Sequence, residues 1–268
     1  MSTVVLTVID EAERSEAFLR HLAAYCAGRR AHLIVIVLTP LPMLFHSRPE
    51  IGGMYLPEMV MRNDAEAEAG RVRHILTDHL ERTRVVPLFG DALWLPSDVA
   101  AQLPMADGAV IADRSAWAVP WFRGHIIEAL LRRRVSVRLQ PAVLDFTRLR
   151  RAVMGVKAGA EAQQAAWWIV HNLPHDCAID LIAVGEQNPF DGPAHLLDYL
   201  RLHRYQATQR RVDREGTTTD TLARHAAERG ADLLVIGASV HAAWRDRLFG
   251  GVTRRLIDHA ALPTILAR

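Results

Sequence analysis

The stretch ADLLVIGASVHAAWRDRLFGGVTRRLIDHA, residues 231–260, decides the fold. It opens with an apolar run that ends at Gly237, crosses a span with basic side chains, and resumes at Gly250 as an amphipathic pattern. A short apolar run bounded by glycine is typical of a buried strand, and apolar residues at helical spacing indicate a helix. The stretch therefore predicts a strand, a loop with a glycine at each end, and a helix.

Apolar β-branched runs alternate with helical patterns along the whole chain. This alternation is typical of βαβ units, in which helices cover both faces of a parallel sheet. Strands are predicted at 3–9, 33–39, 84–89, 108–112, 135–139, 150–156, 177–184, 206–212, 232–237 and 263–267. Helices are predicted at 14–29, 57–82, 96–104, 123–133, 160–172, 192–204, 218–229 and 250–260.

The same order of elements occurs twice, which indicates a tandem duplication. The run ADGAVIADR at 106–114 aligns with ADLLVIGAS at 231–239, and each is followed by a glycine-led helix and a short last strand. We place the seam within 141–151 and expect domains at 1–141 and 148–268. The predicted fold class is α/β, with two tandem Rossmann-like sandwiches that each contain a five-stranded, mainly parallel sheet.

Composition argues against several classes of function. Lys and Arg number 32 against 30 Asp and Glu, and the net charge of +2 predicts neither a nucleic-acid nor an acidic-membrane partner. No apolar run reaches the ~18 residues that span a bilayer, and the first residues lack signal-peptide features, so we expect a cytoplasmic protein. The two cysteines, Cys26 and Cys177, show no metal-ligand spacing and are expected to be buried free thiols.

The segment PLPMLFHSRPEIGGMYLP at 40–57 is rich in proline and glycine, which predicts an irregular excursion after the second strand. Two interpretations stay open. The loop covers a crevice or packs on a partner, or it only joins the strand to the next helix.

The loop between Gly237 and Gly250 is the candidate binding site. Ligands of open parallel sheets bind outside the carboxyl ends of the strands, where this loop begins. Glycine lets a phosphate approach the backbone closely, and free N–H groups at a helix N-terminus favour an anion. Gly250 and Gly251 stand at the predicted start of that helix, so the second half is predicted to hold a small anionic ligand.

On these residues the sequence resembles the universal stress protein family. Its nucleotide-binding members carry a glycine after the fourth strand, a second glycine three residues on, and, after nine more residues, a glycine followed by serine or threonine. Gly237 and Gly250 hold the first and third of these positions. HAALPTILAR at 259–268 is similar to the family's ending, and FGGVTRRL at 249–256 to a form common in tandem members. The resemblance covers both halves and is most specific over 218–268.

The resemblance implies two sandwiches of the adenine nucleotide alpha hydrolase-like type. It implies a non-enzymatic stress-response binding or adaptor protein, with ATP or another adenine nucleotide as the candidate ligand. The last strand of each half is then expected to mediate pairing of the halves into an intramolecular pseudo-dimer, or pairing of chains into a homodimer. The alternative is an ATP-binding member with weak ATP hydrolysis or adenylate-dependent signalling.

Two departures predict a degenerate site in the second half. Val240 stands where the family has its second glycine, and a β-branched residue resists the positive φ that glycine adopts. Gly251 stands where the phosphate-contacting hydroxyl is expected. Thr253 offers a hydroxyl two residues later, but it lies roughly 200° around the helix axis from Gly251 and is expected to point elsewhere.

Nucleotide-binding members also resemble one another in an aspartate that closes the first strand. The first half has this residue as Asp10, whereas the second half has Lys157 in its place. The first half has lost the rest of the loop, because Ala112 replaces the leading glycine and only Gly124 remains at the predicted helix start. Neither half therefore holds the complete set.

Bulky side chains in the first half, Trp117, Trp121 and Phe122, predict a crevice that the protein fills itself. In the second half Lys157 has two interpretations, a point charge that binds phosphate or sulfate, or a solvated strand-end lysine. The same two apply to the basic residues of the connecting span, His241, Arg245 and Arg247.

Motifs that carry catalysis are missing from the sequence. It has no G-x-S-x-G elbow, no P-loop lysine and no Cys/His pair at zinc spacing, so we expect neither catalytic nor metal-binding residues. The pair Trp167–Trp168 lies in a predicted helix, where at least one ring is expected to pack into the core.

Overall fold

The computed structural model describes residues 3–41, 55–91, 95–101, 106–141, 149–157, 159–185, 195–238 and 251–268. Contacts within the chain divide it into two compact units, Met1–Val135 and Ser136–Arg268, called unit 1 and unit 2 below. The chain therefore divides shortly before the boundary at 141 that the sequence predicts.

Unit 1 alternates strands and helices as predicted. Its elements are β1 (Val4–Ile9), α1 (Ala12–Gly28), β2 (His32–Leu41), α2 (Tyr55–Ile75), a 3-10 helix (Thr77–Arg82), β3 (Thr83–Asp91), α3 (Leu95–Ala101), β4 (Gly108–Ala112), a second 3-10 helix (Arg114–Ala116) and α4 (Pro120–Arg132). The strand order is β3-β2-β1-β4, and every pair is parallel. Residues on both faces of β2 are buried, as parallel strands covered by helices require.

Unit 2 follows the same plan with one strand added at its edge. Its elements are β5 (Val137–Gln140), β6 (Arg151–Val156), α5 (Ala160–Asn172), β7 (Ala178–Val184), α6 (Leu196–Leu202), β8 (Ala207–Val212), α7 (Thr218–Glu228), β9 (Leu233–Gly237), α8 (Gly251–His259) and β10 (Thr264–Ala267). The strand order is β5-β10-β9-β6-β7-β8, parallel throughout except that β5 is antiparallel to β10.

The predicted α/β fold class is confirmed, with three local differences. The division into units gives four and six strands rather than five and five, because β5 pairs with β10 of unit 2. The long helix predicted at 57–82 ends at Ile75 and continues as a 3-10 helix. Helix α4 begins at Pro120, so Gly124 lies within the helix rather than at its start, since proline supplies a favourable first helical residue. Of the excursion predicted at 40–57, residues 42–54 lie outside the described structure.

One core of unit 2 lies between its sheet and the α5–α6 face. Trp168 is partly buried and packs against this core, whereas Trp167 is 55% exposed, so the prediction that at least one of the two rings packs into the core is confirmed. The hydroxyl of Tyr205 donates to the carbonyl oxygens of Ile169 and Leu173 (3.2 and 2.8 Å), which ties β8 to the end of α5. Both cysteines are buried free thiols, as expected from the sequence.

A buried carboxylate holds the amino edge of unit 2 together. Asp180 on β7 accepts hydrogen bonds from Arg229 Nη2 (2.9 Å), Arg151 Nη1 (2.8 Å) and Thr208 Oγ1 (2.6 Å). Burial alone would raise the pKa of Asp180, but these donors outweigh it and hold the pKa well below the ordinary carboxyl range. No sequence motif indicated this cluster, which joins β6, β7, β8 and the residue after α7.

Candidate functional site

Each unit has a switch point at which successive connections leave for opposite faces of the sheet. In unit 1 it lies between β1 and β4, and in unit 2 between β6 and β9. Ligands of open parallel sheets bind at the carboxyl ends of such strands. Asp10 directly follows β1, Lys157 directly follows β6, and Gly237 closes β9, so the topology brings the predicted residues to these two points.

In unit 1 the carboxylate of Asp10 is engaged by the protein's own backbone. Its Oδ1 accepts from the N–H of Ala118 (3.0 Å) and its Oδ2 from the N–H of Val119 (2.7 Å), just before α4 begins. Burial raises the pKa of Asp10, although these two bonds oppose the shift. Asp10 thus fastens the loop after β4 to the end of β1.

The same loop of unit 1 and the first turn of α4 carry large apolar side chains. Trp117 and Phe122 are buried, whereas Trp121 is 49% exposed on the surface of α4. The side chain of Arg123 is also buried, and its Nε donates to the carbonyl of Ala112 at the end of β4 (2.7 Å). The residues after β4 are therefore held by internal contacts.

An internal acid also occupies the N-terminus of α1. The first helical N–H, of Ala12, donates to Oε1 of Glu68 (2.9 Å), a buried residue of α2. A helix N-terminus attracts anions because its N–H groups are unsatisfied and its dipole is positive there. In unit 1 the carboxylate of Glu68 already accepts from this helix N-terminus, at Ala12, two residues after Asp10.

In unit 2 the structure gives Gly237 a close packing contact with α5. A Cβ at this position would lie 2.1 Å from the carbonyl oxygen of Glu161 and 2.4 Å from its carbonyl carbon. The first turn of α5 therefore packs directly on the end of β9, which only glycine permits. The glycine was predicted for close approach of a phosphate, yet the group that approaches it in this structure is the backbone of Glu161.

Two basic side chains lie at the carboxyl edge of unit 2. Lys157 is exposed and directly follows β6. Arg268 follows β10, and its Nη1 donates to the carbonyl oxygen of Ala238 (3.1 Å), the residue after β9. Sequence reasoning missed Arg268, because its nearness to β9 depends on the order of strands in the sheet.

The remaining predicted site residues lie at the start of α8 or before it. Gly251 is the first residue of α8, and Thr253 is buried in its first turn. The other residues of the predicted loop lie outside the described residues: Val240, His241, Arg245, Arg247 and Gly250.

None of the described helices is both long enough and apolar enough to cross a bilayer. Within the same described ranges, no cluster of three or more His, Cys, Asp or Glu side chains is arranged to hold a metal ion.

A mainly parallel sheet covered by helices, with a switch point in each unit, defines the Rossmann-like class of α/β fold. Residues 149–268 match the profile of the Universal stress protein family. The resemblance stated from the sequence is confirmed. No curated protein shows significant sequence similarity to the chain.

Solved structures extend the similarity of fold to the full chain. A universal stress protein from Archaeoglobus fulgidus DSM 4304 superposes with a TM-score of 0.70 at 15% identity, covering 100% of this chain and 99% of that one. A protein from Pseudomonas aeruginosa UCBPP-PA14 assigned to the universal stress proteins gives a TM-score of 0.53 at 11% identity, covering 99% and 93%. An Arabidopsis thaliana family protein, solved with AMP bound, covers 44% of this chain and 90% of its own length, with 18% identity and a TM-score of 0.33.

Proposed function

We propose that this chain is a non-enzymatic, cytoplasmic binding or adaptor protein of the stress response. In this proposal unit 2 retains a reduced site for an adenine nucleotide, and unit 1 serves only in structure and interaction. The observation that carries the proposal is the contrast between the two strand ends. In unit 1 both carboxylate oxygens of Asp10 are engaged by backbone N–H groups, whereas in unit 2 the side chain of Lys157 is exposed.

Internal contacts of unit 1 support the absence of a nucleotide there. Both oxygens of the Asp10 carboxylate accept backbone N–H bonds, and the Glu68 carboxylate, which also pairs with Arg71, accepts from the first N–H of α1. These groups at the β1–α1 connection are therefore already engaged within unit 1. The carboxyl edge of unit 2 instead presents the cations Lys157 and Arg268. A nucleotide is therefore expected to bind with a stoichiometry of one per chain.

Calorimetric titration of the full chain with ATP, ADP and AMP tests the proposal. We expect one site per chain with a dissociation constant weaker than about 1 μM, equivalent to less than about 8 kcal/mol, because the sequence lacks two elements of the phosphate loop. Binding at two sites would contradict the assignment of unit 1. Affinity of 1 μM or better would contradict a reduced site in unit 2.

Assay of phosphate release from ATP tests the non-enzymatic character. We expect no turnover above the buffer rate, because the sequence offers no acid, base or metal ligand beside the glycines. Steady turnover that is lost on changing Gly250 to a bulky residue would replace this proposal with that of a weak ATPase. Whether two chains pair into the homodimer that the family resemblance allows is tested separately by native mass measurement, where a single-chain mass at micromolar concentration would exclude it.

A further inference from the structure

The carboxyl edge of unit 2 places two cations on either side of the end of β9. β9 pairs in parallel with β6 on one side and with β10 on the other. Extending both registers past their last pairs sets Lys157 and Arg268 level with Ala238. Because neighbouring strands are about 4.8 Å apart, the Cα atoms of the two basic residues are about 10 Å apart.

Both basic residues lie on the same face of the sheet. Val156 and Ala267, the residues just before them, belong to the core under α5. Side chains alternate along a strand, so Lys157 and Arg268 lie on the opposite face, where α7 packs against β6 and β9. The hydrogen bond from Arg268 to the carbonyl of Ala238 holds the guanidinium at the end of β9.

The surroundings of this pair favour an anion. Helix α8 connects the parallel strands β9 and β10, so its N-terminus at Gly251 lies at this same edge. The positive end of its dipole adds to the two side-chain charges. Of the nearby acids, Asp220 pairs with Arg255 (3.2 Å). The carboxylate of Glu161 lies beside Gly159 at the start of α5, on the α5 side of the sheet.

We infer that Lys157 and Arg268 together bind the phosphate groups of the ligand of unit 2. The inference rests on the proposed function and deepens it. Two side-chain cations here take the part that backbone N–H groups of a glycine loop would otherwise play, in a sequence that has Val240 in place of the second glycine. Arginine and lysine both bind phosphate, the first through a planar fork of donors and the second as a point charge. The site therefore selects ligands by phosphate charge, and adenosine alone is a poor ligand.

The test compares the full-length chain with the variants Lys157→Met and Arg268→Gln. Glutamine keeps an amide donor at this position but carries no charge, so the second variant tests the charge of Arg268. The matched control is Arg150→Ala, which removes an exposed cation from the opposite end of β6. Titrations use ADP, adenosine and inorganic tripolyphosphate, and a thermal melt of each variant checks that it folds.

We expect each of the two variants to weaken ADP binding about tenfold and to flatten its dependence on salt, whereas the control changes neither. Equal ADP affinity in wild type and both variants would overturn the inference and leave nucleotide binding intact. Tripolyphosphate binding that depends on both cations, without ADP binding, would support the cation pair and overturn the nucleotide. Binding of neither probe would overturn both.

Discussion

Replacing Gly237 with alanine should destabilise unit 2, because the added methyl group collides with backbone rather than with a side chain. The Cβ would lie 2.1 Å from the carbonyl oxygen of Glu161, and relieving that overlap requires the first turn of α5 to move by an ångström or more. Overpacking a filled site costs about 1–3 kcal/mol, and we expect the upper part of that range because a helix turn cannot rotate away as a side chain can.

Two other glycines provide graded controls. At Gly155 an added Cβ would lie 2.5 Å from Cδ1 of Ile236 and 2.9 Å from Cδ1 of Leu222, so flexible side-chain ends can shift and the expected loss is about 1 kcal/mol. At Gly70, within α2, a Cβ meets nothing within 4 Å, and alanine should stabilise the helix by about 0.5–1 kcal/mol.

Urea denaturation followed by circular dichroism measures all three variants against the wild type. The expected order of unfolding free energies runs from Gly237→Ala, the lowest, through Gly155→Ala and wild type to Gly70→Ala. A Gly237→Ala protein as stable as wild type would refute the packing argument. If that variant also lost its nucleotide, the glycine would be needed for the ligand, as the sequence first indicated.

Three further outcomes follow from single groups. Asp180→Asn should cost about 1–3 kcal/mol at pH 7, a value reduced for the partial exposure of its arginine partners. Because the folded pKa of Asp180 is lowered, its stabilisation is present above the unfolded pKa of about 3.9 and is lost as pH falls below it. Urea midpoints at pH 7 and pH 3 should therefore differ less in the variant, and an equal difference would contradict this. Asp10→Asn should cost about 1–2 kcal/mol, because the NH2 group of asparagine cannot accept one of the two backbone N–H bonds. The variant should also red-shift the emission of Trp117, and an unchanged spectrum would count against it. Burial raises the pKa of Cys26 to about 12 and of Cys177 to about 11, so a thiol reagent at pH 8 should react only on unfolding, and rapid labelling of native protein would show the burial to be wrong.

The repeated pattern of strands and helices was readable from the sequence because both faces of a parallel sheet are buried. A short run such as the one that ends at Gly237 is apolar throughout, as expected of a strand that helices cover on both faces. The pairing partner of β5 was not readable in this way. A strand of four buried residues satisfies its hydrogen bonds equally well beside any open edge, and local sequence does not specify which edge that is.

The candidate site was only partly readable from the sequence, because a glycine or an aspartate at such a position can serve either the fold or a ligand. Gly237 signals close approach of something, but the sequence does not say whether a phosphate or the turn at Glu161 approaches. Asp10 matches a family position, yet its oxygens are taken by Ala118 and Val119, far along the chain. Arg268 was missed because its proximity to β9 depends on the order of strands in the sheet, which no local pattern encodes.

The pairing of β5 with β10 has a consequence for any attempt to produce unit 2 alone. A fragment limited to residues 149–268, the span that matches the family, would lack Val137–Gln140 and leave the main-chain groups of Thr264–Leu266 open on one side. An uncovered strand edge with buried apolar side chains invites pairing with another molecule. A fragment that begins before Ser136 carries its own cover for that edge. A fragment of unit 2 should therefore include the β5 strand as well as the span that matches the family profile.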